Sequence, residues 1–226
     1  MKNFNKELLF IIIPIFFSNF SFCQSNEIKI KFIGNCSLYL TDGNLNVYVD
    51  FPYKSGAHNY MEYNKSELEC IKDNSIFIFT HRHADHYSQK LINKPNGKIY
   101  GPWKVSKKRK LDLEKLSDSI KDFSLLAFKT SHKFSFHHNS YLITWHNKKI
   151  FISGDTGDMG PISKINNIDW VFAPFWIYRN AWEQKIAIDT KMIGIYHLYP
   201  DQKIGEGFPD NIRFLIHQNE EISISF

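Results

Sequence analysis

Four apolar segments of this chain each stop on residues that ligate metal ions, and that pattern limits the fold more than composition does. "SIFIF" at 75–79 runs into "THRHADH", "LLAFKTS" at 125–131 into His132, "KKIFIS" at 148–153 into Gly154-Asp155, and "KMIGIY" at 191–196 into His197. Short apolar runs rich in Ile and Phe read as buried strands. Strands of one sheet, or of two stacked sheets, bring their ends to a common rim, so segments distant in sequence meet there. The set that meets is His81, His83, Asp85, His86, His132, Asp155 and His197. A polar loop that happens to contain histidine would explain one His at 80–88, but not three at this spacing.

The rest of the chain supports a strand-rich domain. "IKIKFI" at 28–33, "SLYLT" at 37–41 and "NVYVDF" at 46–51 read as a meander, with Asp42-Gly43 as the last turn. "NKSELECIK" and "YSQKLIN" read as short helices on either side of the strand that enters the histidine stretch. "KIY" at 98–100 is a further strand, and the charged segment 104–121 is helix-prone. "SYLITW–HNKK–IFIS" over 140–153 reads as a hairpin, and "WVFA" at 170–173 and "ISISF" at 222–226 as later strands. Two antiparallel-rich sheets packed face to face, with helices outside, is the simplest architecture for this order. No repeat or Pro/Gly-rich linker interrupts 24–226, which suits one domain.

Five imidazoles and two carboxylates exceed the tetrahedral shell of a single zinc ion and suit two ions with one carboxylate bridging. In an extended segment, residues i and i+2 point the same way, so His81 and His83 can serve one ion together. Asp85 and His86, where the chain turns toward a helix, can reach the other. The glycine before Asp155 lets the backbone approach closely.

"THRHADH" resembles the HxHxDH signature of the metallo-β-lactamase superfamily of dinuclear hydrolases. "GNCSLYLTDGNLNVYVDFPY", "SH" at 131–132, "FISGDTGD" at 151–158 and "YHLYP" at 196–200 resemble that family's other motifs in order, so the resemblance covers nearly all of 24–226. It implies an α/β fold, the αβ/βα four-layer sandwich of two mixed β-sheets with helices on the outer faces and metals at one edge. It implies two zinc ions, one held by His81, His83 and His132, the second by Asp85, His86 and His197, with Asp155 bridging. Asp85 would also orient the nucleophile. Asp155 resembles the bridging aspartate of the lactonase, glyoxalase II and phosphodiesterase branches. His83 stands where the flavo-diiron branch carries an acidic residue, which favours hydrolysis over redox chemistry. The implied activity is hydrolysis of an ester, lactone, phosphodiester or related bond in a small-molecule substrate. The rival readings are a non-catalytic zinc-binding protein and a metal-dependent redox or sulfur-handling enzyme.

The first residues carry a different message. Lys2 and Lys6 precede the apolar stretch Leu8–Phe17 and then small polar residues, the layout of a secretory signal peptide over residues 1–23. The stretch falls short of the ~20 apolar residues of a bilayer span. Export to a bacterial periplasm, with no stable span after cleavage, is the expectation. Losing Lys2, Lys6 and Glu7 lowers the formal charge from +5 by one, to +4. With "KKRK" at 107–110 as the longest basic block, nucleic acid is not an expected partner. Cys36 and Cys70 remain, either paired or as free thiols. Neither belongs to a CxxC, so cysteine ligation of zinc is not expected.

Other residues stay open at this level. Asp50, ending "NVYVD", is either a plain strand-end aspartate or the acceptor for a ligand imidazole. Of His137 and His138, one lines the pocket or supports a ligand, or both sit at the surface, and His146 is expected at solvent. Trp103, Phe175, Trp176 and Tyr178 either wall a cleft or pack in the core, with Arg179 a candidate for an anionic group.

Overall fold

The computed structural model describes residues 26–226 apart from 103, 104, 106–108 and 114. The leader-like segment 1–23 and Trp103 therefore lie outside the described residues. The first sheet contains β1 (Glu27–Gly34), β2 (Ser37–Thr41), β3 (Asn46–Val49), β4 (Ser75–Ile78) and β5 (Gly97–Tyr100). The second contains β6 (Phe123–His132), β7 (Ser135–Trp145), β8 (Lys148–Ile152), β9 (Ile168–Pro174), β10 (Thr190–Tyr196) and β11 (Ile212–Phe214). The last strand, β12 (Glu221–Ser225), returns to the first sheet and pairs with β1, so the orders are β12-β1-β2-β3-β4-β5 and β11-β10-β9-β8-β7-β6.

Both sheets are mixed rather than mainly antiparallel. β12, β1, β2 and β3 pair antiparallel, whereas β3-β4 and β4-β5 are parallel. β6, β7 and β8 pair antiparallel, and β8 to β11 run parallel. Tight turns explain the antiparallel part: Asp42 Oδ1 accepts the N–H groups of both Asn44 and Leu45 and closes the β2–β3 turn. The parallel parts are joined by longer crossovers, as parallel pairing demands.

Side-chain alternation distributes the core over three layers. Between the sheets, Ile30, Leu38, Val47, Ile76 and Ile78 of the first meet Tyr141, Ile143, Trp145, Ile152 and Phe172 of the second. Phe77, Phe79, Tyr48, Phe51 and Ile99 cover the outer face of the first sheet. Val171, Ala173, Ile193 and Ile195 cover that of the second, packed with Ile177 and Ala181 of α3 (Phe175–Gln184). Strands buried on both faces read as continuous apolar runs, which is why "SIFIF" and "WVFA" lack a polar alternation.

Helices are short. Besides α3, the described α-helices are α1 (Gln89–Ile92) and α2 (Leu116–Ser119). The helix expected over 104–121 is confined, among the described residues, to α2. Upstream of it Ile99 N–H bonds to Arg109 O and Leu111 N–H to Ile99 O, so this segment adds to the sheet edge. Leu111 and Leu116 are buried there, and edge pairing serves a stretch with no continuous apolar helical face.

Four strand ends share one backbone feature. Asn35 (φ 50), Asp50 (φ 49), Gly154 (φ 62) and His197 (φ 60) follow β1, β3, β8 and β10, and all are left-handed. Three are not glycine, and each such residue costs about 1–3 kcal/mol that surrounding contacts must offset. These four turns gather at one rim of the sheets.

Candidate metal centre

The seven residues converge at that rim. Asp155 Oδ2 lies 2.9 Å from His197 Nε2, 3.1 Å from His86 Nε2, 3.9 Å from His81 Nε2 and 4.0 Å from His132 Nε2. His83 Nδ1 is 3.3 Å from His132 Nε2. Asp85 Oδ2 is 3.4 Å from His197 Nε2 and 3.5 Å from His86 Nε2. His81, His83 and His132 thus form one group of donors; His86, Asp155 and His197 form another, with Asp85 beside it.

Outer hydrogen bonds fix four of the five imidazoles. His86 Nδ1 donates to Asp50 Oδ2 at 2.8 Å, His132 Nδ1 to Asp155 O at 2.9 Å and His83 Nε2 to Phe134 O at 3.3 Å. Thr80 Oγ1 donates to Asp50 Oδ2 at 2.8 Å and therefore accepts from His81 Nδ1 at 3.0 Å. Asp50, which also takes the Thr80 N–H at 2.7 Å, thereby orients one imidazole of each group. With the outer nitrogen donating, each inner nitrogen of a neutral ring presents a lone pair to the centre.

Asp155 is held from several sides. Its N–H donates to His138 Nε2 at 3.0 Å, and the chain His138 Nδ1, Thr130 Oγ1, Ser140 Oγ and Ser153 O continues at 2.6, 3.3 and 2.7 Å. The terminal carbonyl only accepts, so every hydroxyl donates onward and His138 Nε2 is the acceptor. His138 is thus a buried positioning group rather than a surface histidine. A Cβ on Gly154 would sit 2.6 Å from His138 Nε2 and 2.8 Å from Thr80 Cβ, which is why only glycine fits.

Electrostatics divide the groups. Burial, reinforced by neighbouring imidazoles, holds His81 and His132 below the usual histidine range, so both stay neutral. Burial opposes charge on His86 and His197 too, but the Asp155 carboxylate beside them outweighs it and draws both upward. Burial likewise pushes Asp85 and Asp155 up, and those same imidazoles hold both carboxylates well below their ordinary range. The carboxylates of Asp50, Asp85 and Asp155 meet no Lys or Arg among the described residues; their ion-pair partners are all histidines. Buried carboxylates without a fixed cation fit a site for metal ions. His81 Nε2, His86 Nε2 and Asp85 Oδ1 are buried with no hydrogen-bond partner, and all belong to the donor set. Two bare nitrogens 3.3 Å apart, on His83 and His132, likewise call for a cation between them.

Several neighbours were not legible in the sequence. Cys36 is fully buried with Sγ 3.8 Å from Asp155 Oδ1, and both Cys36 and Cys70 are free thiols. Burial pushes the Cys36 thiol well up, against the pull of His86. Asn35 donates to Asp85 O at 3.0 Å. Tyr60 stands edge-on to His197, ring centroids 4.0 Å apart, and stacks on Tyr199. Trp176 stands 5.3 Å from His197 and donates Nε1–H to Thr156 O, so it walls the centre. Phe175 and Tyr178 instead pack on Phe208 outside the sheet, and Arg179 pairs with Glu183 along α3. His58, which carries no supporting pattern in the sequence, has Nε2 3.9 Å from Asp85 Oδ1. His146, expected at solvent, bonds Asp42 Oδ2 at 2.9 Å and stacks on Phe226, because the β7–β8 turn folds onto the neighbouring sheet.

Two mixed six-stranded sheets with a histidine–aspartate rim at their shared edge define a metallo-β-lactamase-fold protein. Solved structures agree. A Parabacteroides distasonis protein assigned as a metal-dependent hydrolase is 24% identical with a TM-score of 0.63, covering 84% of this chain and 94% of its own. The metallo-β-lactamase fold protein YhfI of Bacillus subtilis is 15% identical with a TM-score of 0.58, covering 88% and 99%. An isothiocyanate hydrolase from Delia radicum gut bacteria is 15% identical with a TM-score of 0.59, covering 88% and 100%. No family model and no curated protein matches the sequence.

Proposed function

We propose that this protein is an exported hydrolase that uses two zinc ions to activate water against an ester, lactone, phosphodiester or related bond of a small molecule. The observation that carries the reading is the single oxygen, Asp155 Oδ2, lying within 4.0 Å of four imidazole nitrogens drawn from both groups. His81, His83 and His132 would hold one ion; His86, His197 and Asp85 the other; Asp155 both. The solved relatives named as metal-dependent or isothiocyanate hydrolases support the class of reaction, and the leader-like residues 1–23 support export to the periplasm.

Two such ions, when bound, would supply Lewis acidity and bring the pKa of a bound water to near neutrality. The chain supplies the rest. Asp85, anionic at neutral pH, would orient the attacking water and accept its proton at Oδ1, which has no hydrogen-bond partner and only His58 Nε2 nearby, at 3.9 Å. Asp50 and the Asp155 carbonyl keep the imidazoles in the tautomer that faces inward. Tyr60, Tyr199 and Trp176 form an aromatic wall beside His197 that limits water and offers a face to the apolar part of a substrate.

The test joins metal analysis to a panel of chromogenic esters, lactones, β-lactams and phosphodiesters. The expected result is two zinc ions per chain and a turnover that chelation removes and zinc restores. Two zinc ions with no turnover would favour a non-catalytic binding protein, and turnover indifferent to chelation would contradict the reading. Export is tested by mass spectrometry of the native protein, which should begin near Gln24.

A further inference from the structure

The β1–β2 turn brings a sulfur atom into the centre that the seven-residue set does not use. The donor atoms of Cys36, His86, Asp155 and His197 all lie within 4.8 Å of one another, and all four residues are buried. His86 is fully buried with an Nε2 that has no hydrogen-bond partner, and it faces the same space as the sulfur. The turn itself is tied to the site. Asn35 accepts the His197 N–H through its carbonyl at 3.1 Å and donates through its side chain to Asp85 O, so Cys36 is fixed by the residue that fixes two neighbours. Cys36 is not in a disulfide.

Distances fit a four-donor shell. Zinc–sulfur bonds of about 2.3 Å and zinc–nitrogen or –oxygen bonds of about 2.0–2.1 Å give tetrahedral edges of about 3.3–3.6 Å. Asp155 Oδ2 lies 2.9 Å from His197 Nε2 and 3.1 Å from His86 Nε2, and the other oxygen of the same carboxylate, Oδ1, lies 3.8 Å from Cys36 Sγ. Small adjustments would bring all of them onto such edges.

We propose that Cys36 is a sulfur ligand of the second metal ion, completing a Cys36–His86–Asp155–His197 shell. The inference rests on the two-metal reading above. On binding, the Cys36 S–H bond breaks, the sulfur–metal bond forms and the proton leaves to solvent. Cys36 then takes the place that the reading above gives to Asp85 as a ligand, and the Asp85 carboxylate is left to face the nucleophile. A thiolate in the shell also biases this site toward zinc and against magnesium or manganese.

Cobalt(II) substitution reads the sulfur directly. The chain has three cysteines, so Cys23→Ser with Cys70→Ser leaves Cys36 as its single thiol. That double variant, loaded with two equivalents of cobalt, should show visible ligand-field bands and an intense near-ultraviolet thiolate-to-cobalt band. Adding Cys36→Ser should remove the near-ultraviolet band and keep the visible ones. Two bound cobalt ions with no such band would overturn the proposal while leaving the two-metal reading intact. Failure to bind cobalt at all would overturn both. Because Cys36 is buried and its replacement risks the fold, zinc-edge X-ray absorption on the unaltered chain is the companion measurement. A sulfur shell at about 2.3 Å supports the proposal, and a shell of nitrogen and oxygen alone refutes it.

Discussion

Gly154→Ala separates a built centre from a chance gathering of histidines. The glycine has φ 62, and a Cβ there would lie 2.6 Å from His138 Nε2, 2.8 Å from His138 Cε1 and 2.8 Å from Thr80 Cβ. Neither neighbour can yield cheaply. His138 is pinned between Thr130 and the Asp155 N–H, and Thr80 between Asp50 and His81. The left-handed backbone costs alanine about 1–2 kcal/mol, and forcing a methyl into a packed site about 1–3 kcal/mol. We expect a loss of about 2–5 kcal/mol in urea unfolding followed by tryptophan fluorescence. Displacing the supports of Asp155 and His81 should also weaken zinc binding by about 10–100-fold. Gly157→Ala is the control: a Cβ there meets only Asn180 Nδ2, at 3.4 Å, and should change stability by less than about 0.5 kcal/mol. A Gly154→Ala variant with parental stability and zinc affinity would refute this account of the rim.

Asp50→Asn removes the acceptor that His86 and Thr80 share, and calorimetry should find both zinc affinities lowered by about 10–100-fold. His132→Ala should reduce bound zinc and abolish turnover, measured by metal analysis and the substrate panel. His138→Ala leaves the Asp155 N–H buried without an acceptor and should cost about 1–3 kcal/mol in urea unfolding, with His138→Gln recovering most of it. Burial pulls His138 from its ordinary 6.5 down to about 3, so between these values the unfolded chain binds the extra proton and the folded chain does not. Its contribution is therefore full above pH 6.5 and is lost as pH falls toward 3; the metal-free His138→Gln variant should show a shallower acid slope than the parent in urea midpoints taken across that range.

The strands and the seven candidate ligands are legible because each of four apolar runs leads into one or more of them, and a run's end locates the rim. What surrounds them is not. Cys36 follows a strand in a turn with no ligand spacing, and its neighbours at 86, 155 and 197 come from three other elements, so only tertiary folding brings them near. Of the adjacent His137 and His138, strand alternation sends one to each face. Which one meets Asp155 is set by the β6–β7 register, where Thr130 pairs with His138. The sequence leaves Asp50 open between two roles, and the β3–β4 pairing decides it by setting Asp50 against Thr80. The charged stretch before Leu116 carries helix propensity, but Leu111 is buried where it pairs with Ile99 at the edge of a sheet, and burial overrides propensity there.

The central claim is that Asp155 joins two metal ions into one working centre. A bridging carboxylate sets its negative charge against both cations and offsets a repulsion that is strong at short range in a partly dry site. Asp155→Asn keeps the shape and removes the charge. Zinc titration by calorimetry should find two tight sites in the parent and one in the variant, with most turnover lost. Two zinc ions bound to the variant at parental affinity, with parental turnover, would contradict the claim.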